Sequence, residues 1–168
     1  MAANHKLKIG VDCGGVCRSL NNNVDVFSVP NSYKMLKELS KTHELYLVSF
    51  AGAKRASETR KEIEDKYPGL FTKLFFVKDR KYKDEICRYI GADVLVDDRI
   101  DILEGITFDI HKIHFTGDPA YKHGQTPSNS ALFAGTNWKT TFNILNTLTP
   151  KSHVPDETVQ LYKYCYFK

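Results

Sequence analysis

The stretch Val94-Leu95-Val96-Asp97-Asp98-Arg99 decides the fold. Three consecutive aliphatic residues suit a strand buried on both faces, as in a parallel sheet. Two carboxylates follow where that strand ends. Upstream, the run Lys6 to Asp12 (KLKIGVD) has the same form and passes into a Gly14-Gly15 turn, and Glu44 to Phe50 (ELYLVSF) carries Ser49 near its end. Further strands are expected at Leu74 to Val77 and Ile110 to Phe115. Between them the apolar spacing predicts helices: one after Asn31 as cap, one over Ala53 to Lys66, one over Tyr82 to Ile90 closed by Gly91, and one over Trp138 to Leu148. Alternating strands and helices with short connections predict a three-layer, Rossmann-like α/β fold, a parallel sheet with helices on both faces. Such sheets bind ligands at the carboxyl ends of their strands, where the strand order reverses. Asp12, Ser49 and the Asp97-Asp98 pair all fall at such ends.

The remaining segments are less regular. Asn21-Asn22-Asn23, set between short apolar pieces, predicts a small hairpin or flap at about 13–30. The long polar loop from Thr116 to Asn137 is of a length that compact domains usually reserve for function or motion. The aromatic tail after Pro150 reads as a strand or a helix.

Bulk properties narrow the class. A chain of 168 residues, 42% hydrophobic and 26% charged, suits one globular domain. No apolar run is long enough for a bilayer, and the first residues lack the apolar stretch of a secretory signal, so the expected location is the cytoplasm, with the nucleus open. The four cysteines, Cys13, Cys17, Cys87 and Cys165, are expected as free thiols. Cys13 and Cys17 have no second Cys or His pair at zinc-finger spacing. His111 and His114 point to opposite faces of an expected strand. A net charge of +4 favours an anionic substrate but is too small to define a nucleic-acid binder.

Three carboxylates converging on one rim repel one another without a cation. A hard divalent ion such as magnesium answers that, since it commonly binds through one or two carboxylates plus phosphate, here from among Asp12, Asp97 and Asp98. Asp12 could then attack phosphorus, since carboxylates act as covalent nucleophiles in phosphoryl transfer. Ser49 with the amides of Phe50 and Ala51, at the start of a helix, is expected to bind the phosphoryl group. A lysine such as Lys83, in competition with Lys78 and Lys81, is expected to neutralise its remaining charge.

These motifs resemble those of the haloacid dehalogenase-like (HAD) phosphohydrolase superfamily. Lys8 to Val16 (KIGVDCGGV) is similar to its first motif, Leu45 to Ser49 to its second, Lys83 with its following helix to its third, and Val94 to Arg99 to its fourth. The resemblance covers about residues 6–115. It implies Asp12 as nucleophile and metal ligand, Gly14 as a carbonyl ligand, Asp98 as a direct ligand with Asp97 beside it, and Ser49 and Lys83 as phosphoryl contacts. Asp97-Asp98-Arg99 and Asn137-Trp138-Lys139 also resemble the deoxyribonucleotidase-like branch.

The chain departs from the family at residue 14. The family's general-acid Asp is here Gly14, which keeps the carbonyl and loses the carboxyl. General acid–base catalysis typically contributes about 10²–10⁴-fold. A slow magnesium-dependent phosphatase, an enzyme using another acid, one acting on good leaving groups, and an inactive relative that binds a phosphorylated ligand or a protein all remain open. The gaps at 17–30 and 78–93 are too short for a cap domain. A capless site suits a nucleotide, a polynucleotide end or a phosphoprotein, or closure by a second copy or a protein partner.

Overall fold

In the computed structural model, residues 6–21, 25–124 and 131–167 are described. The expected flap and long loop therefore fall partly outside the described residues, at 22–24 and 125–130. Strand β1 spans Lys8–Val11, β2 Glu44–Phe50, β3 Lys73–Val77, β4 Val94–Asp97, β5 His111–Phe115 and β6 Phe133–Gly135. They form one sheet in the order β3-β2-β1-β4-β5-β6, with every pairing parallel. The chain winds outward from β1 to β3, returns, and winds the other way from β4. The order thus reverses between β1, which leads into Asp12, and β4, which ends in Asp97.

Side-chain alternation along each strand splits the core in two. Ile9, Val11, Leu45, Leu47, Leu74, Phe76, Val94 and Val96 belong to one apolar cluster, while Val48, Phe75, Val77 and Leu95 belong to the other. Helices α1 (Ser32–Ser40), α2 (Ala53–Lys66) and α5 (Trp138–Leu145) contribute Leu36, Ile63 and Trp138 to the first. Helices α3 (Lys83–Ile90) and α4 (Ile100–Glu104) contribute Ile86 and Leu103 to the second. The three layers follow from this two-residue period. The parity also sends Asp12 and Asp97 to the face covered by α3, and Ser49 to the face covered by α2.

Local chemistry sets the helix ends. Asn31 sits at the start of α1 as expected, yet its side chain makes no cap bond; it holds a φ of 65°, a region where Asn is tolerated better than most residues. Gly91 closes α3 at a φ of 70°, as its sequence position predicts. Trp138 is fully buried, and its indole Nε1 donates to the Val16 carbonyl at 2.8 Å, pinning the segment after the Gly-Gly turn against α5.

Three elements differ from the sequence expectation. The short helix α4 and strand β6 had no counterpart: α4 spans only five residues, and β6 is a three-residue strand inside the long loop. The tail after Pro150 forms a single 3₁₀ turn at Leu161–Lys163 and then an antiparallel bridge from Cys165 to Val77. Among the described residues, no helix is long and apolar enough to cross a membrane.

Candidate active site

Asp12 follows β1 directly, and its amide extends the sheet by donating to the Val96 carbonyl at 3.0 Å. Its Oδ1 accepts from the Cys13 amide at 2.8 Å and from Lys83 Nζ at 3.0 Å. Lys83 is the first residue of α3, which a 3₁₀ turn at Arg80–Tyr82 brings over the strand ends. Its ammonium also donates to Asp97 Oδ2 at 2.7 Å, while Asp97 Oδ1 accepts from the Arg99 amide at 3.0 Å. Both oxygens of Asp97 are thus engaged within the protein. Asp98 lies beside them, with its Oδ2 2.7 Å from His123 Nε2.

Asp12, Asp97 and Asp98 each offer a carboxylate oxygen, and these lie within 4.8 Å of one another. All three residues are buried. Burial, partly offset by Lys83 and reinforced by Asp98, pushes Asp12 up to about 7. Burial and then Asp97 raise Asp98 to about 7, and burial and then Asp12 raise Asp97 to about 6. Burial pulls Lys83 down, but Asp12 and Asp97 overcome it and hold its pKa above the usual value. One ammonium among three buried carboxylates leaves a deficit of positive charge. An all-oxygen donor set with that deficit fits a hard divalent cation.

Gly14 and Gly15 differ in their freedom. Gly15 has a φ of +82°, and a Cβ there would overlap Asp98 Oδ2. A Cβ at Gly14 would meet only the Leu20 side chain at 3.9 Å, and Gly14 is not among the residues of positive φ. Its missing side chain faces space: Gly14 lines a cavity of about 210 Å³ with Asp12, Lys83, Asp98 and His123.

A second cavity, of about 190 Å³, shares Gly14, Leu20 and Phe50 with the first and is lined by Ser49 and Arg18. Ser49 is therefore near Gly14 but outside the Lys83 cluster, as its strand parity dictates. The Ala51 amide donates to the Val77 carbonyl at 3.4 Å because the β2–β3 ladder runs on past Phe50, and α2 starts only at Ala53. That amide is already occupied by the sheet, which limits the anion corner expected at Ser49, Phe50 and Ala51. Phe50 stands 40% exposed between the cavities, with the Arg80 guanidinium 4.4 Å from its ring centre.

One contributor, His123, escaped the sequence reading, and Arg18, which the sequence favours as a surface arginine over a phosphate or substrate contact, is instead buried. Arg18 is 9% exposed, donates to Thr59 Oγ1 at 3.2 and 3.3 Å, and pairs with Glu62 at 3.7 Å. Its burial depends on a fold-level contact with α2 that no spacing announces. His123 is a single residue of a polar loop, and only the loop's length hinted at a role. The four cysteines are free, and burial raises the thiol of Cys13 to about 11 and those of Cys87 and Cys165 to about 12.

The fold and site together define a Rossmann-like α/β domain with a buried acidic cluster at its switch point. No family model matches the chain, and no curated protein matches it. Among solved structures it is similar to a haloacid dehalogenase-like family hydrolase from Streptococcus pneumoniae, at 15% identity and a TM-score of 0.49. That similarity covers 69% of this chain and 59% of the other, so the chain spans about three-fifths of the structure it matches.

Proposed function

We propose that this chain is a HAD-type, magnesium-dependent phosphohydrolase acting on phosphomonoesters through Asp12. The observation that carries this reading is Lys83 bridging Asp12 and Asp97 with Asp98 alongside, at the point where strand order reverses. The ordered motifs of the sequence point the same way. Asp12, Asp98 and the Gly14 carbonyl would hold the cation, and Asp97, with both oxygens engaged, would steady Lys83 and the Arg99 amide. When bound, the cation supplies charge neutralisation for the phosphoryl oxygens.

The protein's own residues then divide the work. A carboxylate oxygen of Asp12 forms a bond to phosphorus as the phosphorus–oxygen ester bond breaks, and the departing oxygen takes the bonding pair. Lys83 favours the ionised form of the nucleophile against the burial that raises its pKa, and offsets negative charge beside it. Water then attacks the aspartyl phosphate at phosphorus, releasing inorganic phosphate and restoring the carboxylate. Ser49, from the adjoining cavity, would contact the phosphoryl group. An aryl oxygen departs without a proton, whereas an alkyl oxygen needs one that Gly14 cannot give.

The substrate classes in view are a nucleotide, a polynucleotide end or a phosphoprotein, admitted by an open rim or enclosed by a second copy or a partner. The likeness to the deoxyribonucleotidase-like branch has little chemical content at its second motif, because Asn137 caps α5 and Trp138 fills the core. Gly14 favours one other reading, a catalytically silent domain that binds a phosphorylated ligand or a protein. Assay of an aryl phosphate with magnesium, with chelator, and with Asp12→Asn separates the two. Turnover that requires both magnesium and Asp12 supports the enzyme; none in any arm leaves the binding role.

A further inference from the structure

Strand β5 and the loop after it grip Asp98 from one side while the Gly-Gly turn confines it from the other. His123 Nε2 lies 2.7 Å from Asp98 Oδ2, and His114 Nε2 lies 3.2 Å from the Asp98 carbonyl. Oδ2 also packs so closely on Gly15 that a Cβ there would overlap it. This oxygen is therefore fixed, and the orientation of the other follows from it. Near its start, the same loop is tied to the segment after the Gly-Gly turn by Asp118, which is 3% exposed. Its Oδ1 accepts from Ser19 Oγ at 2.6 Å and its Oδ2 from the Leu20 amide at 2.8 Å.

We propose that His123 is a positioning residue for the cation site, holding Asp98 Oδ2 so that its other oxygen is presented to the cation. The proposal rests on the metal-dependent reading above. The physical reason is general: a ligating carboxylate free to rotate pays orientational entropy on binding, and a hydrogen-bond donor behind it removes that cost. Both protonation states of imidazole can donate through Nε2, so the role needs no titration. The consequence is reciprocal. If the seated loop strengthens cation binding, the cation must seat the loop to the same degree. Through Asp118 that effect reaches Ser19 and Leu20, and Leu20 lines both cavities. The cation would thus set the shape of the mouth.

The test is calorimetric titration of the full chain with Mg²⁺ and with Mn²⁺, for wild type, His123→Ala and His123→Gln, together with amide hydrogen exchange. His123→Ala should weaken both cations about 10–100-fold, the usual cost of losing such a partner. His123→Gln, whose amide can still donate, should recover most of the loss. Exchange at Leu20 and at Ala120 to His123 should slow on adding cation in wild type and stay fast in His123→Ala. Equal affinity in wild type and His123→Ala would overturn the proposal, as would loop protection that ignores the cation. A wild type that takes up neither cation would instead overturn the metal-dependent reading, and this role with it.

Discussion

Lys83 Nζ and Asp97 Oδ2 face each other at 2.7 Å with side chains 2% and 0% exposed. Removing one partner of such a pair leaves a charge without solvent, a cost of about 3–5 kcal/mol. Lys83→Met should lower folding stability by that amount in urea denaturation at pH 7.5 with chelator present. An unchanged midpoint would mean that Asp97 is solvated or neutral, contrary to the geometry.

The acidic cluster sets a pH dependence of definite sign. Without a cation, Asp12 and Asp98 hold pKa values of about 7, well above the unfolded carboxylate range. A raised pKa contributes stability that is complete below the unfolded value and is lost as pH rises through the folded one. In chelator, wild type should therefore lose stability between about pH 4 and pH 7 relative to Asp98→Asn. Above pH 7 the variant should melt higher. Saturating Mg²⁺ should reverse that order, since the variant lacks a ligand charge. Melting curves at several pH values, with and without cation, decide it.

Gly14 and Gly15 predict opposite responses to a side chain. Gly14→Asp places a carboxyl toward the cavity shared with Asp12 and is compatible with the local backbone. It should raise magnesium-dependent hydrolysis of alkyl or nucleotide esters by up to about 10²–10⁴-fold, with a smaller gain for aryl esters. The gain should vanish when Asp12→Asn is added. A folded Gly14→Asp protein that binds magnesium and gains nothing on any ester would point to a binding role.

Gly15→Ala should instead damage the site. It forces a side chain into a left-handed backbone and against Asp98 Oδ2. The expected result is weaker Mg²⁺ binding, measured by calorimetry, with a lower melting temperature. Normal affinity and stability in Gly15→Ala would show that Asp98 is free to turn away.

Trp138 offers a check on the turn beside the site. Trp138→Phe keeps an aromatic ring against Phe115 but leaves the buried Val16 carbonyl without its indole donor. The loss should be about 1–3 kcal/mol by urea denaturation. A variant as stable as wild type would show that the carbonyl finds another donor.

Much of this architecture was legible because local and global signals agree. In β4, an unbroken aliphatic run named a strand buried on both faces, and β2 and α2 fall at their expected limits. The meeting of Asp12 with Asp97 and Asp98 was legible too, because parallel strands must bring their carboxyl ends to one rim. Other features depend on packing that sequence period does not encode. Strand β6 has only three residues, too few to display alternation, and exists because β5 offers it an edge. His123 gains its place from the path of a loop. The divergence of Ser49 from Lys83 was implicit in strand parity, but only once the helices were assigned to faces.

The C-terminal stretch alters what the outer side of the sheet can do. The Lys78 amide donates to the Tyr164 carbonyl at 2.8 Å, the Tyr166 amide to the Phe76 carbonyl at 2.9 Å, and Cys165 bridges to Val77. These residues occupy the hydrogen-bonding positions that a foreign strand would seek at the end of β3. An unshielded edge is the usual template for runaway polymerisation between copies. Here the chain itself takes those positions, antiparallel to a sheet that is otherwise all parallel, so a foreign strand would find that end of β3 already paired.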